Sequence, residues 1–138
     1  DKVKFLFRLG MLRSERLDNP EGAVESLEEA VRLDDTNRAV LDKLAEFTHH
    51  GHPEALFRVL GHISDVATDN QDRLVVIRRM ATIAEEELDE AEKAVELWEE
   101  VVANQPDDVD VLHRLQALYI GAEDWENLVL TCQREIAQ

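Results

Sequence analysis

The sequence is poor in the residues that cross-link, kink or interrupt a chain. Its 138 residues include one cysteine, three prolines and five glycines, and only 5% are aromatic. A single cysteine excludes an internal disulfide. No run of about 18 apolar residues is present, and no short apolar segment follows a basic start, so neither a membrane span nor a signal peptide is predicted. Hydrophobic residues still make up 44% of the chain, a composition that favours helices and offers little for a β-sheet.

Acidic residues greatly outnumber basic ones, and the formal net charge is −16. A strongly acidic surface argues against binding to nucleic acid, since the phosphate backbone attracts a basic surface. It favours solubility and a basic or mixed-charge partner. We expect a soluble protein, with the cytoplasm favoured over the periplasm. Because the chain starts at Asp1 and not at Met, we also expect a fragment of a longer repeat protein.

One pattern of apolar and small residues occurs twice at an offset of 71 residues. The matched positions are Leu9 with Met80, Gly10 with Ala81, Ala23 with Ala94, Leu27 with Trp98, and Asp35 with Pro106. Each copy holds two helical hairpins, so the underlying unit is about 35 residues long. This period is typical of a helical repeat array, in which neighbouring units stack to bury a continuous core.

Helical periodicity and stop signals predict eight helices. They cover residues 2–17, 20–33, 38–50, 53–67, 71–88, 89–104, 110–120 and 124 to the C-terminus. We call the two helices of each hairpin helix A and helix B. Asn19 is expected to cap the second helix, with Pro20 in its first turn. The four hairpins span 2–37, 38–70, 71–107 and 108–138, and 1–138 is expected to form a single solenoid.

The third hairpin resembles a tetratricopeptide repeat. Ala94 stands where that family uses a small residue so that the two helices approach closely, Trp98 lies in the core, and Pro106 ends the hairpin. The first hairpin matches nearly as well, and the second and fourth are degenerate, so the chain looks like a divergent array of the bacterial type. The resemblance implies an all-α fold, a right-handed α-α superhelix whose A helices line a concave groove. The resemblance indicates very little about function.

The charges are divided by helix type. The A helices hold eleven basic and eight acidic residues, whereas the B helices and their flanking turns hold four basic and twenty acidic residues. In tetratricopeptide proteins the B helices face outward, so the resemblance implies a mildly basic groove inside an acidic shell. It follows that the groove favours an acidic segment and the convex face a basic partner.

One position of helix A is cationic in all four hairpins. It holds Arg8, Lys43, Arg79 and Arg114. In the family this position faces the groove, so the resemblance implies a row of cations that can bind carboxylates. The alternative is that neighbouring acids neutralise each cation, for example Glu46 beside Lys43. Further candidates for contact with a ligand are Arg78, Phe7, Met11 and Ile120.

The other residue clusters give weaker evidence for a functional site. His49, His50 and His52 form a metal-like cluster, but a structural zinc site would normally recruit cysteine or a further spaced histidine, so a polar turn is the better interpretation. No phosphate loop, nucleophile elbow or Cys-His arrangement is present. Cys132 is expected to be a small buried hydrophobic residue, and Trp125 to be a packing residue.

We therefore expect a protein-interaction scaffold that is not an enzyme, needs no cofactor, and holds a peptide or partner segment in the groove. The alternative is a structural spacer whose ends associate with further repeats or with another copy, leaving the groove inert. A regulatory domain attached to a catalytic one is a third hypothesis, which the sequence outside residues 1–138 would test.

Overall fold

The computed structural model describes residues 2–48 and 53–137. These residues form eight α-helices and, within the described ranges, no strand. The helices are α1 (Lys2–Glu15), α2 (Pro20–Leu33), α3 (Arg38–Thr48), α4 (Pro53–Val66), α5 (Asn70–Glu86), α6 (Ala91–Asn104), α7 (Val109–Gly121) and α8 (Trp125–Ala137).

The predicted helices are confirmed, with ends that agree or differ by at most two residues. The predicted end of the third helix, His49 and His50, lies outside the described residues. The two longest predicted A helices stop two residues early, at Glu15 and Glu86. Asp18 and Asp89, three residues further along the chain, have φ of 48° and 52°. A left-handed residue cannot continue a right-handed helix, and Asp tolerates that conformation better than most side chains.

Side-chain oxygens satisfy the first N–H groups of several helices. Asn19 Oδ1 accepts a hydrogen bond from the Gly22 N–H at 3.0 Å, which confirms the predicted cap, and Pro20 follows in the first turn. Asp108 caps α7 through the Val111 N–H at 3.3 Å. Such caps stabilise a helix end by about 1 kcal/mol each.

The chain divides into two compact units, residues 1–76 and 77–138, so that α5 contributes to both. In the first unit α1 packs on α2, α2 on α3, and α3 on α4. The contact between α1 and α2 is close at Gly10, where an added Cβ would lie 3.2 Å from Leu27 Cγ and 3.3 Å from the Ala23 carbonyl oxygen. Ala23 and Leu27 are fully buried. The small residues Gly10 and Ala23 therefore set the distance between the two helices.

In the second unit α6 packs on α7, and α7 on α8. Ala94 is fully buried and Trp98 is 3% exposed, which confirms their predicted core positions. Two further predictions are corrected. Cys132 is only half-buried, and Trp125, the first residue of α8, is 57% exposed.

Candidate functional site

A cleft in the first unit brings three of the groove candidates together. Phe7, Arg8 and Met11 of α1 line it with Lys4, because spacings of three and four residues place these side chains on adjoining strips of one helix. The opposite wall comes from the start of α3. The remaining lining residues are Val3, Asn37, Ala39 and Val40. The cleft has a volume of about 470 Å³.

The cleft combines apolar walls with cationic groups. Phe7 and Met11 are half-buried, whereas Lys4 and Arg8 are exposed. Among the described residues neither Lys4 nor Arg8 forms an ion pair. Both are therefore able to bind a carboxylate without first breaking an internal contact, and Arg8 could do so in bidentate fashion.

Lys43, the second cation of the predicted row, has an acidic neighbour. Its Nζ lies 3.1 Å from Glu46 Oε2, three residues along α3. This is the neutralisation that the alternative interpretation expects for Lys43. An exposed pair of this kind stabilises a helix by only a few tenths of a kcal/mol. Competition by a ligand carboxylate would therefore cost little.

Arg78 lies in the second unit and makes a structural contact. Its guanidinium binds the carboxylate of Asp108, the residue that caps α7, and the side-chain oxygen of Gln105. Burial opposes ionisation of the Asp108 carboxyl, but hydrogen bonds from Arg78 and from the Val111 N–H outweigh it and hold the pKa below its ordinary value. Arg78 thus fixes the turn before α7.

Arg114 is held by two partners in the second unit. Its Nη1 lies 3.4 Å from Glu85 Oε2, and its guanidinium carbon lies 5.1 Å from the centroid of the Trp98 ring. The other two candidates of this unit, Arg79 and Ile120, are exposed. The four cations of the predicted row therefore differ in their surroundings, and their interpretation as ligand contacts remains a prediction.

One ion pair between helices has little signal in the sequence. Arg38 binds Asp42 at 2.8 Å and Asp72 at 2.6 Å, joining the start of α3 to the start of α5 within the first unit. The Arg38 guanidinium holds the pKa of Asp72 below its ordinary value and has its own pKa raised. Arg38 and Asp72 are 34 residues apart, so only the repeat length could have indicated this contact.

A second cleft, also missed by the sequence analysis, lies in the first unit between α2 and the end of α3. Its volume is about 710 Å³. The lining residues are Pro20, Glu21, Val24, Glu25, Glu28, Glu46, Phe47, Thr48 and Ala55. A helical stripe of glutamates on α2 was visible in the sequence, but the apolar contribution of Phe47 depends on how α3 packs.

The candidates for metal binding lie outside the described residues, since His49, His50 and His52 fall between Thr48 and Pro53. In the described part of the chain no group of three or more histidine, cysteine, aspartate or glutamate side chains could hold a metal ion. Across the same residues, none of the helices has the length and apolar character needed to cross a membrane.

Comparison with known proteins identifies solved structures of the same fold. No protein-family model and no curated protein sequence matches the chain. A crystal structure of MamA matches with a TM-score of 0.60 and 19% identity over 98% of this chain and 77% of that one. A second crystal structure of MamA matches with the same TM-score and identity, and 72% of it is covered.

A third match comes from a named organism. Residues 41 to the end of MamA from Desulfovibrio magneticus RS-1 match with a TM-score of 0.58 and 20% identity over 99% of this chain and 75% of that one. MamA is a protein of the tetratricopeptide type. The predicted fold class, an all-α solenoid of helical hairpins, is therefore confirmed. At this level of identity the likeness concerns the fold alone.

Proposed function

We propose that this protein is a non-enzymatic interaction scaffold that binds an acidic segment of a partner protein in the cleft between α1 and α3. The observation that carries the proposal is the position of Arg8 and Lys4, which flank an apolar cleft and form no ion pair among the described residues. The fold supports it, because helical repeat proteins commonly present extended binding surfaces.

The ligand chemistry follows from the cleft. Carboxylates of the segment bind Arg8 and Lys4, and an apolar side chain of the same segment enters between Phe7 and Met11. The apolar contact adds to the affinity, because burial of apolar surface stabilises by roughly 25 cal/mol per Å². The exposed cations add specificity for acidic sequences and a faster association rate. Binding should weaken as salt rises.

The test is a fluorescence-anisotropy titration of the 138-residue chain with a labelled twelve-residue peptide of alternating Leu and Glu. Arg8→Glu should weaken binding at least tenfold, which is about 1.4 kcal/mol. The matched control is Arg16→Glu, which makes the same change of net charge at an exposed residue beyond the end of α1.

Two results would contradict the proposal. Equal losses in the Arg8→Glu and Arg16→Glu proteins would mean that only the net charge matters. Equal affinity for a peptide in which Gln replaces Glu would mean that carboxylates are not recognised. Circular dichroism of each variant keeps loss of fold separate from loss of binding.

A second candidate function, self-assembly, is favoured by the exposure of Phe5. Phe5 precedes Arg8 by three residues, and the same position of the later A helices holds Val40, Val76 and Val111. All three valines are buried, Val40 and Val111 at 1% exposure, whereas Phe5 is 64% exposed. Phe5 forms an apolar strip with Leu9 and Leu12, and we propose that a helix of a second copy covers this strip.

The other half of such a contact is available on α8. Trp125, Val129 and Ile136 share one face of that helix at spacings of four and seven residues, and Ile136 is 85% exposed. Elsewhere in the chain a helix B packs on the following helix A, as α2 does on α3 and α6 on α7. The charges are complementary. The charged residues of α1 are mostly basic, namely Lys2, Lys4, Arg8, Arg13 and Glu15. Those in and just before α8 are mostly acidic, namely Glu123, Asp124, Glu126, Arg134 and Glu135.

Head-to-tail association joins two different surfaces and therefore continues into a chain of copies unless it closes into a ring. In analytical ultracentrifugation, Phe5→Asp and Ile136→Asp should each abolish the association. An equimolar mixture of the two variants should form only a 1:1 dimer, because each retains one intact surface. A wild-type protein that sediments as a monomer at high concentration would contradict this second candidate.

A further inference from the structure

The cleft between α2 and α3 has an acidic wall and an apolar floor. Glu21, Glu25 and Glu28 occupy positions i, i+4 and i+7 of α2, so they form one stripe along the helix. Val24 lies between them on the side that faces α3, and Phe47 comes from α3 itself. Both apolar side chains are half-buried and still contribute to the surface of the cleft.

No ion pair in the described part of the chain neutralises the stripe. Within residues 2–48 and 53–137, none of Glu21, Glu25 and Glu28 has an ion-pair partner. Like charges four residues apart on a helix destabilise it by a few tenths of a kcal/mol. The fourth acidic residue of the cleft, Glu46, forms an ion pair with Lys43. A cation placed along the stripe would relieve this repulsion.

We infer that this cleft binds a basic amphipathic segment of a partner protein, with lysine or arginine side chains along the α2 stripe and an apolar side chain against Val24 and Phe47. A stripe of glutamates alone would be an ordinary solvated face. Here the stripe borders a cleft of about 710 Å³ with Val24, Phe47 and Ala55 in its lining. That combination gives an amphipathic helix an apolar anchor and charge complementarity together.

This site is distinct from the cleft between α1 and α3 and has the opposite charge preference. Lys4 and Arg8 line the first cleft, and four glutamates line this one. The two inferences therefore fail independently. A cationic peptide tests the α2 site, and an acidic peptide tests the α1 site.

The experiment is a titration of the isotope-labelled 138-residue chain with a fourteen-residue amphipathic peptide of Leu and Lys, followed by amide NMR. Binding at the inferred site should shift the amide signals of Val24, Phe47 and Thr48 most strongly. Glu25→Lys should weaken binding at least tenfold. The matched control is Glu96→Lys, which makes the same charge change on an exposed position of α6.

Each outcome bears on the inference. Similar losses in the Glu25→Lys and Glu96→Lys proteins, or shifts spread over all acidic surfaces, would show that the peptide follows net charge only and would overturn it. Absence of binding at 50 mM salt would also overturn it. A peptide in which Ser replaces Leu should bind much more weakly, because it has no anchor for the apolar floor. Retained affinity for the Ser peptide would contradict the role of Val24 and Phe47.

Discussion

The Arg114 guanidinium lies over the Trp98 ring, with 5.1 Å between the guanidinium carbon and the ring centroid. Glu85 completes the arrangement. Its Oε2 accepts a hydrogen bond from Trp98 Nε1 at 3.2 Å and from Arg114 Nη1 at 3.4 Å. One carboxylate therefore joins residues of three helices, α5, α6 and α7, in the second unit.

Arg114→Gln should lower the free energy of unfolding by about 1–2 kcal/mol. The change removes a partly exposed ion pair and a cation–π contact, each of which contributes about 0.5–1 kcal/mol. Arg8→Gln, at the equivalent position of α1, should stay within about 0.5 kcal/mol, since no ion pair holds Arg8 in the described structure. Urea denaturation of both variants measures the difference. Equal effects would contradict the distinct environments of these two residues.

Tyr119 should make the protein sensitive to alkaline pH. Burial raises the pKa of the Tyr119 phenol, and the hydrogen bond that it donates to Glu99 raises it further. A group with a raised folded pKa contributes stability that is fully present below the unfolded pKa of about 10, and that is lost as the pH rises from there through the folded pKa. Tyr119→Phe should therefore flatten the fall in melting temperature above pH 10. A parallel fall in both proteins would exclude this role.

Asp72 should act at the opposite end of the pH range. The hydrogen bonds from Arg38 lower its pKa, so its contribution is present above the unfolded value of about 3.9 and is lost as the pH falls through the folded pKa. Asp72→Asn should lower stability at pH 7 and remove part of the acid dependence below pH 4. Denaturation midpoints at pH 7 and pH 3 measure both effects. Asp65→Asn, on an exposed position of α4, is the control.

The helices could be predicted from the sequence because their stop signals are local. Pro20, Asn19 and the Asp-rich turns act within a few residues, and the 71-residue repeat fixed which helices pair. The ends near Leu17 and Leu88 were missed because nothing in the sequence shows that Asp18 and Asp89 adopt left-handed backbone conformations. A polar residue after a helix is compatible with either conformation.

The candidate site was less predictable, because contacts between distant residues decide it. Glu85, Glu86 and Glu87 are indistinguishable by composition, and only packing shows that Glu85 faces Trp98 and Arg114. The cation row was found by its spacing, but spacing does not reveal which members have acidic neighbours from other helices. The exposure of Phe5 could not be predicted for the same reason. Phe5 has the position of a core residue and the exposure of a surface one.

The last prediction concerns the small residues that allow the two helices of a hairpin to approach closely. Ala94 is fully buried in α6. In the first hairpin, a Cβ added at Gly10 would lie 3.2 Å from Leu27 Cγ, which is closer than an ordinary van der Waals contact. Ala94→Trp should lower the free energy of unfolding by about 1–3 kcal/mol or more, because a larger side chain forces the helices apart. Glu96→Ala, on the exposed face of the same helix, should stay within about 0.5 kcal/mol. Thermal melts of both variants measure this contrast. An unchanged melting temperature for Ala94→Trp would show that position 94 does not set the distance between the helices, and it would contradict the repeat register that pairs Ala23 with Ala94.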